Sequence, residues 1–92
     1  MYTFIDAPGH GYLKVRTREL IELDIHYDIS RWSMFSEDGV WTYLEEDTDS
    51  KTFLLAKPDA TYKVVYKEKW DTRFLPQYDA EYVEACRGFY RL

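Results

Sequence analysis

Cysteine is nearly missing from this chain. Cys86 is the only one, so no internal disulfide can form, and such sparing use of thiols points to a reducing compartment. Long apolar runs are missing too: nothing approaches the roughly 18 residues that a bilayer span needs. The opening residues, with Asp6 and Pro8, lack the basic-then-apolar order of a secretory signal. Repeats, low-complexity tracts and Gly/Ser linkers do not occur, which leaves residues 1–92 as a single small domain. These absences together predict a soluble cytoplasmic protein with no membrane association. Cations are also in short supply, with 12 Lys and Arg against 17 Asp and Glu, a net charge of −5.

What the chain does have is apolar side chains, 46% of the total, and aromatics, 18%. That excludes disorder and is enough to close one modest core. The charge is unevenly spread. Between Glu19 and Asp49 ten acids meet a single base, Arg31, whereas residues 1–18 and 50–92 are each net positive. An acidic protein of this size is repelled by phosphate backbones, so direct nucleic-acid binding through the middle of the chain is disfavoured, and a basic protein surface is the expected partner.

Local patterns place the elements. Met1–Ile5 and Tyr12–Val15 read as short strands separated by the Pro-Gly signal in Ala7–Gly11. Thr17 is positioned to cap a two-turn helix carrying Leu20, Ile21 and Leu23. Ile29–Phe35 and Val40–Leu44 form the best hairpin in the chain, joined by Ser36-Glu37-Asp38-Gly39. In its second strand Val40, Thr42 and Leu44 share one face and Trp41 and Tyr43 the other, the mark of a strand covered on both sides. Thr48 or Asp49 can cap a helix that stops before Pro58. Thr61–Trp70 alternates, with Tyr62, Val64 and Tyr66 opposite Lys63, Lys67 and Lys69, which suggests an edge strand guarded by lysines with its aromatics turned into the core. Asp79, Glu81, Arg87 and Gly88 then bracket a last helix. The sum is an α+β domain with a mainly antiparallel sheet of four to five strands and two to three short helices.

Several residues carry chemistry-bearing groups. His10 lies between two glycines, a segment that admits close approach of a ligand but lacks the spacing of a phosphate loop. Asp24, His26 and Asp28 would share one face if extended, offering one nitrogen and two oxygens. Cys86 sits in an apolar helical stripe and reads as a small core residue. The run Glu45-Glu46-Asp47-Thr48-Asp49 is the densest charge feature, placed where anions suit a helix start.

The stretch Asp6-Ala7-Pro8-Gly9-His10-Gly11-Tyr12-Leu13, followed by Leu23-Asp24-Ile25, Ile29-Ser30 and Tyr43-Leu44-Glu45-Glu46-Asp47 with Asp49 and Phe53, resembles a group of small proteins carried by bacteriophages, plasmids and related mobile elements. In that group a Gly-His-Gly-aromatic-Leu segment precedes a Tyr-Leu-Glu-Glu-Asp segment. The likeness covers roughly residues 6–53. It implies an accessory role in phage or plasmid biology, inside the bacterial host, and brings no catalytic residues with it.

The resulting expectation is a binding protein rather than an enzyme: an acidic accessory protein that inhibits a host protein with a basic surface, such as a nucleic-acid-handling defence complex, in the manner of an anti-CRISPR. Its acidic face would consist of Glu37, Asp38, Glu45, Glu46, Asp47 and Asp49. A second, aromatic surface of Trp32, Trp41 and Tyr43, beside the acidic loops and built around the Ser36–Gly39 hairpin, would serve the host target or a homodimer. No cofactor and no metal is expected. The rival expectation is a small-molecule or metal-binding domain, hydrolytic in the chemistry its groups would support, centred on Asp6, His10 and His26 with carboxylates of the acidic segment.

Overall fold

The computed structural model describes residues 1–90. Strand-forming residues open the chain and Pro8-Gly9 reverses it, so that β1 (Tyr2–Ala7) and β2 (His10–Arg16) form an antiparallel hairpin with Ala7 opposite His10. Proline pre-sets φ at the first central position of that turn, and Gly9 supplies the φ of +77° at the second. The turn takes only two residues, and both strands are longer than their sequence pattern suggests.

Helix α1 (Thr17–Glu22) follows directly. Arg16 rather than Thr17 holds the N-cap, and the Glu19 carboxylate closes the turn by accepting the Arg16 N–H at 3.2 Å. Thr17 is spent elsewhere: its buried hydroxyl donates to the Gly39 carbonyl at 2.8 Å. With that one proton committed, the Thr42 hydroxyl is the donor in the 2.8 Å contact between the two threonines. After a 3₁₀ turn at His26–Asp28 come β3 (Met34–Phe35), β4 (Trp41–Glu45), α2 (Asp49–Ala56), β5 (Tyr62–Tyr66), α3 (Ala80–Ala85) and α4 (Arg87–Tyr90).

The strands lie in the order β3-β4-β2-β1-β5, antiparallel throughout except for β1 with β5. The domain is α+β with a mainly antiparallel sheet of five strands, and β4 is interior, as its two-faced pattern requires. Among the described residues there are four short α-helices rather than two to three, because the last one breaks at Cys86, whose φ of −98° and ψ of 14° leave the α region.

Register divides the side chains between two faces. On one, Leu13, Val15 and Leu44 meet Leu20, Phe53, Tyr78 and Val83, all with no accessible surface; each such large apolar side chain contributes about 1.5–3 kcal/mol. All the helices serve this face. The other face buries Ile5, Ala7, Tyr12 and Met34 under a thin strap, the segment 67–77, which crosses from the β5 edge to the β3 edge. Trp70 anchors the strap with its ring against Tyr12 (5.5 Å) and Tyr43 (5.0 Å). Gln77 bridges to Met34, and the Pro76 carbonyl accepts the Phe35 N–H.

Two expectations are corrected here. The strand expected over Ile29–Phe35 survives only as Met34–Phe35, because Ser30 and Ser33 are drawn into polar contacts that no extended backbone could make. Tyr62, Val64 and Tyr66 are not core: β5 is an edge strand as anticipated, but no helix reaches its side of the sheet and all three are exposed.

Two buried phenols tie the C-terminal part down. The Tyr78 hydroxyl donates to the His26 carbonyl at 2.6 Å and that of Tyr90 to the Gly39 carbonyl at 3.0 Å. Burial first, and then the nearby charge of Asp49, raises the Tyr78 phenol far above its ordinary value. Burial likewise pushes Tyr90 up to about 12. A proton held more tightly in the folded state stabilises the fold at pH values below the ordinary phenol value of about 10 and is a stabilisation lost above it. Urea midpoints are therefore expected to stay level up to about pH 10 and to fall towards pH 12, with a shallower fall in Tyr90→Phe. A level midpoint across that range would rule out a contribution from phenol burial, and an equal fall in the variant would rule out Tyr90 as its source.

Candidate functional site

The hairpin between β3 and β4 builds one wall of a shallow groove. Gly39, at φ +75°, closes its turn, a conformation that suits glycine because no Cβ opposes it. Asp38 rigidifies the loop, its carboxylate accepting the Ser36 hydroxyl at 2.7 Å and the Val40 N–H at 3.0 Å. These bonds, the serine's foremost, hold the Asp38 carboxyl below its ordinary value and keep it charged. On the facing side the Asp79 carboxylate caps α3 by accepting the N–H groups of Glu81 and Tyr82. Between them lies a groove of about 280 Å³ that reaches from Ser36–Gly39 to Pro76–Gln77 and has Phe35 and Tyr82 as its aromatic walls. The two rings stand 5.8 Å apart, centre to centre. Glu37, Asp38 and Asp79 rim the groove, and among the described residues no cation pairs with any of them.

The six acids expected to form one face do not do so. Asp49 is fully buried. It accepts the Ser30 N–H at 3.0 Å, the Ser30 hydroxyl at 2.7 Å and the Ser33 hydroxyl, while Ser33 Oγ accepts the Glu45 N–H at 3.0 Å. Glu45 turns back on the chain to accept the N–H groups of Asp47 and Thr48 at 2.7 and 3.0 Å, closing the turn ahead of α2. Glu46 and Asp47 are exposed, as are Glu37 and Asp38. The two exposed pairs, however, flank opposite ends of β4, about 17 Å apart at the usual strand rise.

The aromatic trio is dispersed as well. Trp32 is 79% exposed in the bend before β3. Tyr43 is half-buried beneath Trp70. Trp41 is also half-buried, but cations rather than acids adjoin it: Lys14 Nζ lies 4.3 Å and the Arg16 guanidinium 4.6 Å from its ring centre. The side chain of Arg16 reaches Trp41 because the two residues are cross-strand partners.

Asp6, His10 and His26 form no common site. His10 is exposed at the β1–β2 turn beside Tyr12. Asp6 pairs with Gly11, one register step from the Ala7–His10 pair, and so projects from the opposite face. His26 is buried, with Nε2 3.3 Å from the Glu84 carboxylate and Nδ1 without a partner. Asp24 takes a left-handed φ of 56° and His26–Asp28 is a 3₁₀ turn, so the extended Asp24-His26-Asp28 arrangement does not arise. Among the described residues no cluster of His, Cys, Asp and Glu is arranged to hold a metal, and no helix is long and apolar enough to cross a membrane. Cys86 is half-buried against the core, as its stripe suggests.

Sequence reasoning found the hairpin and missed its other wall. Asp79 and Tyr82 lie some forty positions downstream of it, and no local pattern announces that juxtaposition. Comparisons with protein-family models, with curated proteins and with solved structures returned no match, so the reading of the groove rests on its own chemistry.

Asp49 serves the fold rather than a partner. Asp49→Ala leaves three donors unpaired and should lower unfolding free energy by about 3 kcal/mol, measured by chemical denaturation. A variant as stable as the parent would return Asp49 to the candidate binding residues.

Proposed function

We propose that this chain is a binding protein that occludes a basic surface of another protein, with the groove beside the β3–β4 hairpin as its anchor. The observation that carries the reading is the pairing of aromatic walls with three carboxylates that no cation among the described residues pairs with. A lysine or arginine side chain fits such a groove, its alkyl stem against Phe35 and Tyr82 and its charge among Glu37, Asp38 and Asp79. Complementary charge speeds encounter and makes it sensitive to salt. The likeness to phage- and plasmid-borne proteins supports a setting in which that partner belongs to a bacterial host, and a nucleic-acid-handling defence complex has the basic working surface required. On this reading the protein inhibits by covering that surface, in the manner of an anti-CRISPR, and performs no chemistry of its own.

A fluorescent arginine-rich peptide serves as the probe. Joint reversal of Glu37→Lys and Asp38→Lys is expected to weaken its binding roughly tenfold at low salt, while Glu46→Lys with Asp47→Lys, at the far end of β4, weakens it only about twofold. Equal losses in the two variants would reduce the effect to net charge and discard the groove. With the parent chain as bait and the groove variant as control, affinity capture from host lysate then identifies the partner.

A further inference from the structure

The outer edge of β5 has a geometry that completes itself. In the parallel pairing with β1, Tyr2 N–H donates to the Thr61 carbonyl and Lys67 N–H to the Asp6 carbonyl. Backbone groups of residues 61, 63, 65 and 67 therefore point towards β1, and those of Tyr62, Val64 and Tyr66 point outward. Among the described residues nothing pairs with this outward row. The same three residues expose their side chains on one face, at 49%, 60% and 64%.

We infer that β5 is a self-pairing edge, through which two copies of this chain join antiparallel about a twofold axis at Val64. In that register Val64 faces Val64 of the second copy, and Tyr62 faces Tyr66 of the second copy in both directions. Every outward N–H and C=O of the three residues is then used, six hydrogen bonds in all, and a two-residue slip in either direction uses fewer. Side chains match as well. The tyrosines meet across the strands on one face, a pairing that favours sheets, while on the other Lys63 stands opposite Val65 and not opposite another lysine. The exposed parts of the three side chains amount to roughly 300 Å² per copy. A stable complex buries about 1,200 Å² or more in total, so the dimer is weak and forms only at high protein concentration.

Sedimentation equilibrium from about 20 µM to 1 mM should show monomer giving way to dimer. Val64→Pro is the selective variant: it removes an N–H that bonds nothing among the described residues, so the edge strand should keep its circular dichroism and lose the dimer. Cysteine substitution reads the register even if that variant fails to fold. Val64→Cys brings two thiols onto the axis, with Cα atoms about 5.5 Å apart, inside the disulfide range. Tyr66→Cys leaves its two thiols about 13 Å apart. Under mild oxidant the first should cross-link at least tenfold faster than the second. A parent chain monomeric at 1 mM, a folded Val64→Pro that dimerises like the parent, or equal cross-linking of the two cysteine variants would each overturn the inference. The groove variants should dimerise like the parent, which separates this edge from the partner site.

Discussion

The Asp49 carboxylate, buried at the first turn of α2, holds together parts of the chain that have no other reason to meet. Its oxygens take donors from Ser30 and Ser33, and Ser33 in turn accepts the amide of Glu45 at the end of β4. A charge without water needs several such donors, because leaving any unmade costs the full desolvation of the group. That requirement bends residues 30–33, shortens β3 to two residues and fixes where α2 begins. It also sets the Ser33 carbonyl to accept the Tyr78 N–H, which brings the C-terminal segment in beside the hairpin. The candidate groove is therefore a downstream consequence of one buried carboxylate.

Net charge turned out to be a poor guide to surface. Of the acids between Glu37 and Asp49, one is buried, one binds the backbone ahead of α2, and the exposed remainder splits between two ends of a strand. Carboxylates are the strongest acceptors available to unpaired amides, so a chain rich in them spends some on its own turns and helix starts. Those left over acquire meaning only through neighbours, as Glu37 and Asp38 do from Phe35, Tyr82 and Asp79.

The two faces of the sheet are covered by unequal means. Helices close one side with a fully buried apolar cluster, while the other has a strap anchored by a single tryptophan. Ninety-two residues cannot supply a complete layer to each face. Coverage is therefore fullest over β2 and β4, in the middle, and fails at β5, where tyrosines stay in contact with water.

Periodicity alone determined the elements whose signals are local: the Pro8-Gly9 reversal, the two-faced strand from Trp41 to Glu45, the edge character of β5, the Asp79 cap, and from these the α+β class with a mainly antiparallel sheet. Those features depend on residues within a few positions of one another, and so they can be read from the chain. Of the candidate site, the hairpin and its two acids were legible in the same way. Tertiary structure decided the rest: that Ser30 and Ser33 leave the strand to serve Asp49, that Thr17 reaches Gly39 instead of capping its own helix, that Trp41 lies under cations, and that Asp79 and Tyr82 complete the groove. The reason is common to all four. Each polar group could have found a partner nearby or far away, and only the packed chain, with water excluded, determines which of them is within reach.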